Sequence, residues 1–307
     1  MTLEKQYKNK LSEFREFEEE KELELENEIF VFPENFSEDM AIDETGLNGE
    51  LYTIILNKKA KGKKWSLAAL IKGTKAEKIV SAVFDKVKTT QLMQIKEMTL
   101  DLANNMDRIV RQICPNGLHT YDRFHVQKLV TEAVQTIRIR HRWQAIKEEE
   151  ENVLKARNNK QKFVSFRYNN GDTKKQLLAR SRYLLYKPQN KWSKWQQERA
   201  KILFKEFPNL KKAYNLSMYF RNCYEYGNNV YRFKKWIKKV NDWDINELKV
   251  VATTIESKLW WIMNYFHNKA TNANIEWFHS KLKLFRQQTR WVIDNKFFFF
   301  RIIKYFA

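Results

Sequence analysis

Between residues 40 and 122 the hydrophobic period changes in an order that few folds accommodate. MAIDETG and ELYTIILNK are apolar runs flanking Asn48-Gly49, the dipeptide that favours a two-residue hairpin turn, and are predicted as antiparallel strands. WSLAALIKG supplies a third strand. KAEKIVSAVFDKV then spaces Ile79, Val80 and Val83 as one face of a short helix. IKEMTLD is a fourth strand, LANNMDRIVRQIC a second helix, and LHTYD a fifth strand leading straight into a long helix from Arg123. Three strands in meander followed by strand–helix–strand–helix predict an α/β fold with a mixed five-stranded sheet, because helical crossovers join parallel neighbours.

The flanks of this block differ from it. Residues 1–28 read as one acidic, Glu-rich helix with Leu3, Tyr7, Leu11 and Phe14 on its apolar stripe, stopped by Phe32-Pro33. Beyond the fifth strand come helical runs with aromatic or aliphatic stripes and basic opposite faces, such as KWSKWQQERAKILFKEF and VYRFKKWIKKV. The organisation expected is an N-terminal helical segment (1–38), a first core part (39–145), a basic helical insertion (146–264) and a last core part (265–307). NNGDTK near Asn169 is the predicted flexible break. Trp192, Trp195, Tyr214, Tyr219 and Trp236 are predicted as core.

Charge points to the partner. The chain carries a formal net charge of +20 with a pI near 9.7, and residues 157–239 hold 22 Lys and Arg against 4 Asp and Glu, a net +18. A solvated bundle does not need so one-sided a surface, so this segment is predicted to follow a phosphate backbone. Lys234, Lys235, Lys238 and Lys239 cluster on one short helix that Trp236 would anchor. Cys114 and Cys223 offer no disulfide framework, and with His119 and His125 they lack the paired short spacing of a zinc site. With no run of eighteen apolar residues and no signal-peptide core in MTLEKQYKNK, a soluble protein of a reducing cytoplasm, without membrane contact, is expected.

The candidate chemistry rests on carboxylates. Asp101 and Asp122 close consecutive strands just before helices, where ligand sites of open α/β sheets gather. Either would also serve as a helix N-cap, the commonest role for Asp there. Asp43 lies in the first strand, and alternation sends it and Glu44 to opposite faces. In TNANIEWFHSKLKLFR, Asn272 is placed to cap a helix whose core side is Ile275, Phe278, Leu282 and Phe285. Glu276, His279, Lys283 and Gln287 form a neighbouring polar stripe, with Arg286 beyond. On its own such a stripe also reads as an ordinary solvated face.

Taken together, IDE in the first strand, TLD closing the fourth, DRFHVQKL after the fifth and NANIEWFHSKLKLFR near the end resemble the DDE transposases of bacterial insertion sequences. The group resembled is the ISL-three type in its Bacteroides-like branch, over roughly residues 36–307. The resemblance implies a ribonuclease-H-like core in which Asp43, Asp101 and Glu276 bind two Mg2+ (or Mn2+) ions. It implies accessory roles for Asp122 and His125, with Asp122 the rival second ligand. Two such ions would activate an attacking oxygen and stabilise a leaving one. It further implies double-stranded DNA as partner (element ends and target), bound by a homo-oligomer, with a separate protein recognising the ends, and so a place on the bacterial nucleoid. Lys283 and Arg286 join the four clustered lysines as DNA-binding residues. The chain departs from the pattern at Trp277 and His279, where relatives usually read E-S-F-N, and at Arg290-Trp291-Val292, where they usually read R-G-V. Two other readings share these residues: an inactive or domesticated DNA-binding protein, and a ribonuclease-H-like nuclease of other purpose.

Overall fold

The acidic N-terminus does not form one helix. In the computed structural model, which describes residues 6–47, 49–227, 229–269, 273–288 and 294–307, it forms three pieces: a π-helical turn α1 (Tyr7–Leu11), α2 (Phe14–Glu20) and α3 (Glu22–Asn27). Phe14 is fully buried, but Tyr7 and Leu11 are exposed, and Leu3 lies outside the described residues. Glu28 ends α3 in the left-handed region at φ 51°, which turns the chain into β1 (Ile29–Val31). Three residues are too few for alternation to announce a strand, so this one is absent from the sequence pattern.

The remaining strands follow that pattern closely. They are β2 (Asp39–Leu47), β3 (Glu50–Asn57) and β4 (Leu67–Lys72), then α4 (Ala76–Lys86), the single turn α5 (Thr89–Leu92), β5 (Glu97–Leu100), α6 (Asn104–Ile113) and β6 (Leu118–Tyr121). The sheet has six strands rather than five, in the order β1-β4-β3-β2-β5-β6. The additional strand β1 pairs antiparallel with β4, Phe30 opposite Leu70. Both are buried apolar side chains, each contributing roughly 1.5–3 kcal/mol. β2 and β3 pair from Met40 opposite Asn57 to Leu47 opposite Glu50. Gly49 takes φ 87° in the turn, and Asn48 lies outside the described residues. β5 joins β2, and β6 joins β5, in parallel.

The chain then enters α7 (Arg123–Asn158), α8 (Lys174–Arg180), α9 (Lys194–Glu206), α10 (Pro208–Glu225), α11 (Val230–Asp242), α12 (Asn246–Ser257) and α13 (Leu259–Asn268). Contacts group the chain into two units, Met1–Arg123 with Asn264–Ala307, and Phe124–Met263. In the second, the stretch predicted as a flexible break is pinned. Asp172 is fully buried, accepts from Arg199 Nε at 2.9 Å and is bonded by Arg180. Thr173 caps α8 in a capping box with Gln176, which satisfies exposed backbone donors at the helix start. Trp236 is fully buried, its Nε1 donating to Leu216 O at 2.8 Å. Tyr214 is buried and Trp192 half-buried. Trp195 departs from the expected core role: it is 73% exposed, because the apolar side of α9 is carried by Ala200 and Leu203. Both cysteines are buried and unbonded to each other. Burial pushes the Cys114 thiol up to about 11 and that of Cys223 up to about 12, so neither is a thiolate at neutral pH.

Two last helices, α14 (Ala273–Gln288) and α15 (Asn295–Phe306), return to the sheet. Ile275, Phe278 and Leu282 are buried with Ala41, Ile54 and Leu70 of the strands and with Phe299 and Phe306 of α15. Phe14 closes against Phe297 and Phe300 at ring distances of 5.2 and 5.5 Å. The opposite face carries α6: Asn105 donates to Glu44 Oε1 at 2.6 Å, and Tyr121 OH donates to Asp107 at 2.6 Å. No described helix is long and apolar enough to cross a membrane.

Candidate active site

The site is set by strand register. β2 and β5 run parallel, and their last pair is Ala41 with Thr99; Asp43 follows that pair by two residues within β2, and Asp101 follows it by two residues just past the end of β5. β6 continues the series: Leu100 is level with Tyr121, and the Asp122 N–H donates to Leu100 O at 2.9 Å. Level residues of parallel strands point to one face. That face is the one α14 covers, because Ala41, two residues from Asp43, lies in the cluster with Ile275 and Phe278. Glu44 goes to the other face, where Asn105 bonds it, as alternation requires. Neighbouring strands are about 4.8 Å apart, and β5, which precedes Asp101, is one strand from β2, while β6, which precedes Asp122, is two.

The helix α14 meets this edge through His279. Its Nδ1 lies 3.8 Å from Asp43 Oδ2, while Asp43 Oδ1 accepts the Glu44 N–H at 2.8 Å. Glu276 is one helical turn before His279 and exposed, as are Lys283, Arg286 and Gln287. Asn272, the expected cap, and Arg290, Trp291 and Val292 lie outside the described residues. Trp277 is fitted by a matching small residue. A Cβ on Gly62 would lie 2.3 Å from the Trp277 ring, and Gly62 also takes φ +72°. Only glycine serves both demands easily.

The two later acids stand differently relative to the helices that follow them. The N-cap of α6 is Ala103, with no side-chain cap, and Asp101 stands two residues before it. Asp122 is 2% exposed and stands immediately before α7, where a capping carboxylate belongs. His125 is half-buried in the first turn of α7, its ring edge-on to Phe124 at 5.4 Å.

Sequence reasoning missed Glu97. It opens β5 and is 5% exposed. It accepts from Thr120 Oγ1 at 3.1 Å and from Asn268 Nδ2 at 2.6 Å, with Lys58 Nζ at 3.7 Å. By alternation it shares a face with Thr99 and Asp101. The available signal was a carboxylate inside an otherwise apolar strand, which demands a partner.

Among the described residues, no three His, Cys, Asp or Glu side chains stand together as a ready metal cage. The donor types nevertheless suit a hard divalent ion: carboxylate oxygens from Asp43 within β2 and Asp101 just after β5, without thiolates. In the helical unit Lys234, Lys235, Lys238 and Lys239 are all exposed around the buried Trp236, and Lys239 lies 5.2 Å over the Tyr219 ring. The model of one protein family, described as a transposase of the ISL3-type DDE class, matches residues 40–302. No curated protein matches the chain.

Proposed function

The chain belongs to the ISL3-type DDE transposases, and from that premise we propose that Asp43, Asp101 and Glu276 form its catalytic acid set for phosphodiester hydrolysis and strand transfer at insertion-sequence ends. The observation that carries this reading is the coincidence of two independent placements. Asp43 and Asp101 each follow the last β2–β5 pair, Ala41 with Thr99, by two residues, and His279, on the helix of Glu276, has Nδ1 3.8 Å from Asp43 Oδ2. Asp101 is preferred to Asp122 as second ligand because its strand is the immediate neighbour of β2.

Two magnesium or manganese ions held by these acids would supply activation of the attacking oxygen and stabilisation of the leaving one. The chain's own side chains do the rest. The Glu44 N–H fixes one Asp43 oxygen, and His279 faces the other, so the carboxylate keeps its orientation. Asp122 and His125 act as accessory groups, orienting a neighbouring acid and contacting a phosphate. Lys283 and Arg286, exposed on the helix of Glu276, hold the strand by its phosphates. The basic helical segment grips duplex DNA on both element ends and target, and a homo-oligomer pairs two ends that a separate protein recognises.

The test is magnesium-dependent cleavage and joining of DNA bearing the element's own ends. Glu276→Gln is expected to abolish both while DNA binding persists. Binding without cleavage by the unaltered protein would favour a binding-only role, and cleavage indifferent to the ends would favour a general nuclease.

A further inference from the structure

Beside α9 in the helical unit lies a cavity of about 680 Å3, within the roughly 300–1,000 Å3 of typical small-molecule sites. Its floor is aromatic. Trp192 and Phe204 have ring centroids 6.2 Å apart, and each packs on the buried Tyr214, at 5.4 and 5.3 Å. Trp192 is held in place by its Nε1 donating to Leu184 O at 2.8 Å, and Gln197 Nε2 donates to Trp192 O at 3.2 Å. The rim is cationic. Lys201 and Lys205 stand one turn apart on α9, and Lys211 on α10 joins them. All three are exposed, and among the described residues no Asp or Glu lines the cavity.

The two halves select different parts of one ligand. An aromatic floor takes a flat ring, since base–aromatic stacking does not depend on base identity. Three lysines without acids between them take a phosphate. A bare anion would leave the floor unused, and an apolar ligand would leave three charges unanswered. We propose that this cavity is a nucleotide-binding site, with an unstacked base on Trp192 and Phe204 and its phosphate on Lys201, Lys205 and Lys211. The base is supplied either by a DNA strand or by a free nucleotide. The inference does not depend on the acids of the sheet.

The test measures equilibrium binding to the full chain of deoxyadenosine monophosphate, inorganic phosphate and a twelve-residue single-stranded oligonucleotide. The variants are Phe204→Leu and a triple Lys201→Gln, Lys205→Gln, Lys211→Gln. Phe204→Leu is expected to weaken the nucleotide or the oligonucleotide about fivefold or more without changing the salt slope. The triple variant, altered only at exposed positions, is expected to weaken binding and flatten that slope. Phosphate is expected to bind far more weakly than the nucleotide. Loss with the oligonucleotide alone assigns the base to DNA, and loss with the nucleotide as well admits the free ligand. If Phe204→Leu, folded by circular dichroism, binds both probes as before, or if phosphate binds as well as the nucleotide, the site is only a cationic surface and the proposal falls. Either outcome leaves the cleavage assay, and the reading of Asp43, Asp101 and Glu276, untouched.

Discussion

Glu97 in the sheet unit and Asp172 in the helical unit are both buried carboxylates, and the protein answers them differently. Glu97 is bonded by two neutral donors, Thr120 and Asn268, with Lys58 further off. Asp172 is clamped by two guanidinium groups, those of Arg180 and Arg199. Burial alone would raise the Asp172 carboxyl, but the two arginines outweigh it and hold its pKa below the ordinary value. The contrast separates two uses of charge. In the helical unit a buried acid staples basic helices, the buried Arg138 is bonded by Gln135 and Leu178, and cations such as Lys234, Lys235, Lys238 and Lys239 face outward. In the sheet unit the buried Glu97 is answered mainly by neutral donors, and the acids Asp43, Asp101 and Glu276 are the ones proposed to bind a divalent cation.

If that division is right, the largest effects of substitution fall on catalysis and in the sheet unit. Asp43→Asn, Asp101→Asn or Glu276→Gln should each lower end cleavage by roughly 10³-fold or more, since several kcal/mol of charge stabilisation is lost. Thermal unfolding should scarcely move. Asp122→Asn should cost less activity and more stability, in keeping with its burial before α7. Single-turnover rates and melting curves on the four proteins would expose the opposite ranking.

Next in size is the basic surface. Replacing Lys234, Lys235, Lys238 and Lys239 by glutamine should flatten the log–log salt slope of DNA binding by about 3–4 units, at nearly unchanged stability. An unaltered slope would move the DNA surface to another part of the helical unit.

Stability should show the staple. Asp172→Asn is expected to cost about 2 kcal/mol, below the roughly 3–5 typical of a fully buried pair, because Arg180 is half exposed and regains water. The sign follows from the lowered pKa. The carboxylate stabilises the fold above its unfolded value of about 3.9 and ceases to do so as pH falls through the folded one. Denaturant melts should therefore show unaltered protein losing its advantage over Asp172→Asn only below about pH 4. An advantage that disappears between pH 5 and 7 would contradict the assignment.

The smallest expected effect concerns the seat of α14. Gly62→Ala should destabilise by about 1–2 kcal/mol through the left-handed backbone and the Trp277 contact. Trp277→Ala in the same chain should recover the part due to contact. A double-mutant cycle showing no coupling would mean that Gly62 and Trp277 do not meet.

How much of this was legible depends on how local each cause is. ELYTIILNK, WSLAALIKG and LHTYD announce strands because short apolar or β-branched runs and flanking turn residues lie within a few positions of one another. Asp101 and Asp122 stand out in the sequence because each closes a strand just before a helix, where such sheets bind ligands. β1 was not legible, because its partner β4 begins 36 residues after Val31 and three residues show no period. NNGDTK resembles a loose turn until Arg199 arrives from 27 residues away. Glu97 meets Asn268 across 171 positions, a separation that no local pattern carries. Trp195 shares its helix with Leu203, and only the packed structure shows which of them faces inward.

The central claim is that acids far apart in sequence serve one metal site, and metal-directed cutting of the polypeptide tests it most directly. Iron(II) replacing magnesium, with ascorbate and peroxide, cleaves backbone close to the bound ion. The account predicts cuts near residues 43, 101 and 276 together, lost in Asp43→Asn and competed by magnesium. Cuts confined to another part of the chain, or a pattern that Asp43→Asn leaves unchanged, would contradict it.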